Sequence, residues 1–262
     1  MKKVSLIVLV LLVSSLSIEA AVKKNKNKEA VYVQPQVNID SVAQQIALNF
    51  GDYDKAITFG YRILAKDPNN LVKVYALAQL YYQAQNFNMS LKFCAIIANK
   101  DSVNQNAMQL AALNLVALKA PDKAVDLYKG MAAKFNNTNY LYQASVIEFE
   151  TKKNDACVTT ITALLKDSLS MHQKIVMSRE NTVGKVISEE INLIAAAYNV
   201  LGFVSMEQNN LGNAKAYFGR ALAIEPTFVL AENNLKEVLK KVGTSSSADY
   251  TTGNWTLNHT WE

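Results

Sequence analysis

An all-α stack of helix hairpins is the fold this sequence predicts, and three observations carry it. The 262-residue chain is half apolar but has only nine glycines and four prolines. That is too little turn chemistry for a many-stranded β fold. Small residues return about every 34 positions, as at Ala56, Ser90 and Ala124. Each stands at the same place in an amphipathic helical pattern, so the unit that repeats is a pair of helices.

The N-terminus reads as a secretory signal over residues 1–20. Lys2 and Lys3 precede an apolar run from Val4 to Leu16, and small residues around Ala20 and Ala21 suit cleavage after Ala20. The run is shorter than the about 20 residues a membrane span needs, with an uncleaved anchor as the alternative. No cysteine follows it, which argues against a lipoprotein. The expected location is periplasmic or secreted, with no integral membrane segment after cleavage. Removal of two Lys and one Glu would take the net charge from +5 to +4. Residues 21–36 hold Lys23, Lys24, Lys26 and Lys28 and read as a basic flexible linker. Contact with anionic lipid or wall polymer is the alternative. Beyond the linker, acids and bases are nearly balanced up to the last helix, so the composition does not point to nucleic acid.

Residues 37–167 hold the first four units. The first runs through Gly51-Asp52-Tyr53-Asp54-Lys55-Ala56 to Asp67-Pro68. Steps of 34 take Tyr53 to Phe87 and Pro121, and Ile57 to Leu91 and Val125; the fourth unit arrives one residue early, at Cys157. The fifth is marked by Leu201-Gly202, Leu211, Ala214, Phe218, Ala221 and Glu225-Pro226. Antiparallel helices cross closely only where side chains are small. Ala56, Ala78, Ser90, Ala112, Ala124, Gly202 and Ala214 are the expected packing positions. Gly51-Asp52 and Asn209-Asn210 supply the inner turns, and Asp67-Pro68 and Glu225-Pro226 end second helices.

Cys157 to Ala214 is 57 residues, one period of 34 plus an insertion of 23, placed at residues 168–190. Lys174–Arg179 and Lys185–Ser188 flank an Asn181–Gly184 turn and read as a β-hairpin, with an irregular loop or an extra helical turn as the alternatives. Glu189-Glu190 reads as the start of the next helix, whose dipole favours acids. Residues 191–242 give the fifth unit and a capping helix from Phe228 to Val242. Residues 243–262 read as a polar, disordered tail. The alternative is a docking segment, Tyr250 to Trp261, anchored by Trp255 and Trp261. Cys94 and Cys157 lie two hairpins apart, too far for a disulfide.

The period and these offsets resemble the tetratricopeptide repeat, strongly in the first and fifth units, fairly in the second and weakly in the third and fourth. The resemblance covers roughly residues 37–242 and implies an α-solenoid of about five hairpins, whose first helices line an inner groove. Mapped onto this chain, that face carries Asn38, Gln45, Tyr75, Gln79, Tyr82, Asn106, Gln109, Tyr140, Gln143 and Asn199. It is a face of amides and tyrosines. Some members of the family clamp a carboxylate with Lys and Arg on this face; here Val72, Ala76, Asn106 and Leu110 occupy that region.

Catalytic signatures are missing. His172 and His259 are the only histidines and share no metal-ligand spacing with a cysteine; no P-loop, dinucleotide fingerprint or nucleophile elbow occurs. No catalytic, cofactor or metal residue is therefore assigned. The expected function is a non-catalytic scaffold of the cell envelope that holds an extended peptide or protein partner. A cell-wall glycan module using the same face is the alternative, and an enzyme with its site in the insertion is the third reading.

Overall fold

The computed structural model describes residues 38–180 and 186–244. Eleven α-helices and one two-stranded sheet make up those residues. The helices pair as α1 (Ile39–Asn49) with α2 (Tyr53–Ala65), α3 (Leu71–Gln83) with α4 (Phe87–Lys100), α5 (Gln105–Ala117) with α6 (Pro121–Phe135), and α7 (Asn139–Glu150) with α8 (Asn154–Lys166). A 3-10 helix (Ser168–His172) and strands β1 (Lys174–Glu180) and β2 (Val186–Asn192) follow. The fifth pair is α9 (Leu193–Glu207) with α10 (Leu211–Ile224), and α11 (Val229–Thr244) packs on α10.

The period is written in the backbone. Gly51, Gln85, Lys119, Lys152 and Asn209 each adopt positive φ, one in every inner turn. Every one closes the preceding helix in the same way. The Gly51 N–H reaches the Leu48 carbonyl and the Asp52 N–H reaches that of Ala47; Gln85 and Asn86, Lys119 and Ala120, Lys152 and Lys153, and Asn209 and Asn210 repeat the pair. This arrangement satisfies carbonyls that a helix end leaves free. Glycine is the residue that takes such a conformation without cost, but only the first turn uses it.

The start of each second helix explains why two units are weak in sequence. Asp52, Asn86 and Asn210 accept the N–H of Lys55, Met89 and Asn213 through their side chains. Ala120 and Lys153 stand at the corresponding places with no side-chain cap, although Pro121 occupies the first turn of α6. Pro is preorganised there and has no N–H to satisfy. Between hairpins, Asn70 caps α3 through Val72 and Lys73, and Asn104 caps α5 through Ala107.

All seven small residues read as packing positions are buried. Ala56, Ala78, Ser90, Ala112, Ala124 and Ala214 have essentially no exposure. Around them lie three apolar clusters. One joins α1–α4 and the start of α5, a second joins α5–α7, and the largest joins α7–α11.

The insertion is a β-hairpin, antiparallel, with Lys174 opposite Asn192 and Ser178 opposite Ser188. Its expected Asn181–Gly184 turn lies outside the described residues. Ile175 and Ile191 face each other and are buried in the C-terminal cluster, so the hairpin is anchored at its base. Thr138 donates to the Gln173 side chain and the Asn139 amide donates to the Lys174 carbonyl, which ties that base to α7. One reading needs correction: Glu189 and Glu190 lie in β2 and do not open a helix. The cap of α9 is Asn192, whose side chain accepts from Ile194 and Ala195.

Cys94 and Cys157 are free and buried, in different apolar clusters. Burial pushes each thiol up to about 12. The thiolate is the nucleophile, so native protein at pH 8 should alkylate at least about 100-fold more slowly than denatured protein, which should yield two thiols. Fast native labelling of either cysteine would contradict their placement.

Candidate functional site

The charges of the five first helices are few, and most are engaged. Asp40 on α1 is buried and pairs with Arg62 at 3.0 Å and Lys66 at 2.7 Å. The Lys66 hydrogen bond, with help from Arg62, holds its carboxyl below the usual range. Lys73 on α3 reaches Asp67 at 3.5 Å. Glu148 on α7 is buried and pairs with Lys129 of α6 at 2.7 Å. Glu207 at the end of α9 pairs with Lys152. Only Glu150 is left exposed without an ion pair among the described residues, and α5 carries no charge at all. The second helices differ: α6 alone carries Asp122, Lys123, Asp126, Lys129 and Lys134.

On α3, Tyr75, Gln79 and Tyr82 are half-buried along one stripe, one and two turns apart. Burial pushes both tyrosine hydroxyls up, so they stay neutral donors. Tyr82 lies edge-on to Phe87 at 5.4 Å between ring centroids. Among the described residues, no hydrogen bond engages the Tyr75 or Tyr82 hydroxyl or the Gln79 amide.

The next two repeats contribute a closed polar cluster. The Tyr140 hydroxyl donates to Gln105 at 2.6 Å and accepts from the Gln109 amide at 3.1 Å. Its ring is buried and stacks on Tyr128 of α6 at 6.2 Å. Burial raises the Tyr128 hydroxyl strongly, and nearby Tyr140 and Tyr82 add to the shift, so this cluster adjoins the α3 stripe. Gln143, one turn beyond Asn139 on α7, is half-buried, with its amide oxygen enclosed and unpartnered among the described residues.

Several expected positions are not part of this arrangement. Asn199 is fully buried, and its side chain accepts from Asn234 of α11 at 2.9 Å, so it faces the capping helix rather than a ligand face. Asn38 precedes α1 and accepts from Lys66. Gln45 is exposed and bonds Asn49, one turn along its own helix. Asn106 is exposed with no part in the cluster; the residue that reaches Tyr140 is its neighbour Gln105. That role was readable, because Gln105 and Gln109 are one turn apart and share a face, whereas Asn106 is rotated by about 100°. Tyr128, on a second helix, had no sequence signal beyond its aromatic character.

Among the described residues, no group of acids, histidines and cysteines could hold a metal, and no helix is long and apolar enough to cross a membrane. The signal, the linker and the tryptophan-bearing tail lie outside them.

Comparison with known proteins supports the fold. A family model described as anaphase-promoting complex, cyclosome, subunit 3 matches residues 49–131. The uncharacterized protein ycf37 of Pyropia yezoensis is 40% identical over 50 residues, 19% of this chain; the chain covers 28% of that relative's length. The C-terminal part of a TPR repeat-containing protein from Cytophaga hutchinsonii superposes with a TM-score of 0.53 at 10% identity, over 78% of this chain and 72% of that one. A tetratricopeptide repeat protein from Parabacteroides merdae gives 0.46 at 15% identity, over 76% and 70%. With the repeated turns, these likenesses show a tetratricopeptide-repeat fold.

Proposed function

We propose that this tetratricopeptide-repeat protein is a non-catalytic scaffold that holds an extended peptide segment of a partner protein against its first helices. The charge distribution carries the reading. Four of the five ionisable residues on those helices are paired, and what remains is tyrosine and amide. Amides offer both donor and acceptor to a peptide backbone, and tyrosine adds flat apolar area with a polar tip. Such a face recognises a main chain and its apolar side chains, not an acidic or basic tail. A cell-envelope location follows from the N-terminal signal and belongs to the same proposal.

Immobilised protein should capture its partner from an envelope extract, and a peptidoglycan sedimentation assay run beside it should show no binding. Contacts that are not ionic are barely screened, so affinity should change by less than about threefold between about 0.05 M and about 0.5 M NaCl. A loss of tenfold or more over that range would replace this reading with an electrostatic one. Co-sedimentation of the protein with peptidoglycan would favour the glycan module.

A further inference from the structure

Helix α1 has an apolar face that nothing among the described residues covers. Ile39, Val42, Ile46 and Phe50 are 79%, 46%, 52% and 84% exposed. Their spacing of three, four and four residues sets them along one side of the helix and its C-cap. The opposite side is spent on α2: Ala47 is buried, and the Gln44 amide donates to the Ala56 carbonyl. The terminal units of a repeat stack lack a neighbour and need a polar outer face or a cap. Here the outer face is apolar.

The chain just before α1 has the chemistry to cover it. Ala30–Val37 reads Ala-Val-Tyr-Val-Gln-Pro-Gln-Val and contains no charge. In an extended strand, alternate residues share a side. Val31, Val33, Pro35 and Val37 then form one wholly apolar edge, and Tyr32, Gln34 and Gln36 form the other. Pro35 favours that conformation, since it fixes its own φ and pushes Gln34 out of the helical region. The lengths agree. The stripe from Ile39 to Phe50 spans about 17 Å at 1.5 Å per residue. Residues 31–37 extended reach about 23 Å. The segment joins α1 directly, so a reversal at Asn38 suffices to lay it back along the helix.

We propose that residues 31–37 fold back as an extended strap whose apolar edge covers the Ile39–Phe50 stripe and caps the first repeat. The basic residues Lys23–Lys28 remain beyond the strap. A second copy is the weaker occupant. Four side chains on one helix fall well short of the roughly 800 Å² per partner of a stable interface. A tethered segment has no such requirement, because its effective concentration is millimolar or higher.

Hydrogen exchange of the α1 amides on the full chain tests this, with exchange in α3–α10 reporting that the fold is intact. The V31D/V33D variant should expose the stripe and speed exchange in α1 by about tenfold. It should equally speed alkylation of an I46C thiol. The Q34D/Q36D variant charges the opposite edge and should leave both unchanged. Equal behaviour of the two variants, or no effect of V31D/V33D, would overturn the strap. Protection of α1 that rises with protein concentration would overturn it in favour of a second copy.

Discussion

Replacing Gly202 with alanine should destabilise the C-terminal repeats by about 3 kcal/mol, although only one methyl group is added. A Cβ at this position would stand 2.3 Å from one Phe218 ring carbon and 2.6 Å from two others. Phe218 cannot retreat: it is fully buried and packs edge-on against Phe203, with ring centroids 5.7 Å apart. Overpacking of this kind typically costs about 1–3 kcal/mol, and a locked ring puts it at the upper end. In a chain of this size that is a fall of roughly 6–12 °C in melting midpoint. Gly219 gives the opposite sign. It lies on α10 beside Phe218, but its Cβ would meet nothing within 4 Å. G219A should stabilise by about 0.5–1 kcal/mol, the helix preference of alanine over glycine. Thermal melts of the two variants, with exchange in α9–α11 as the local readout, check the pair. Equal effects would contradict the α9–α10 crossing.

The double change of Tyr75 and Tyr82 to alanine should weaken partner binding by about 2 kcal/mol or more while helix content stays unchanged. Both rings are half-buried on the outer part of the first apolar cluster, not in its centre. Binding energy concentrates in a few enclosed aromatic anchors. The competing expectation is that their packing on Cys94 and Phe87 matters more than their exposed faces, in which case the second repeat unfolds first. Circular dichroism and a titration on the same protein separate the two. Full affinity in a folded variant would remove α3 from the binding face.

The repeat was legible because it is set by local necessity. A close helix crossing needs a small residue, and a two-residue step into the next helix needs positive φ, so Ala56, Ser90 and Ala124 and the turns at Gly51 and Asn209 announce themselves. The third and fourth units were faint because Ala120 and Lys153 dispense with the capping side chain while the backbone repeats the same turn. The insertion was visible as 23 surplus residues. Its end was not, since two acids serve equally well at a helix start and on an exposed strand face. The candidate site was legible in kind but not in every register. A slip of one residue rotates a helical position by about 100°, enough to select Asn106 in place of Gln105. Asn199 was misplaced for another reason. Its partner Asn234 sits on the capping helix, whose rotation against α9 no repeat spacing fixes.

The central claim is that ligand contacts fall on the first helices. It is tested most directly by placing a photo-crosslinking amino acid, one at a time, at Tyr82 on α3, at exposed Ile96 on α4, at exposed Val176 on β1 and at Trp255 in the tail. Each protein is irradiated with bound partner, and the adduct is mapped by mass spectrometry. The account predicts a peptide adduct from position 82 and none from position 96. Adducts from position 176 or 255, with none from 82, would contradict it and move the binding site to the hairpin or the tail.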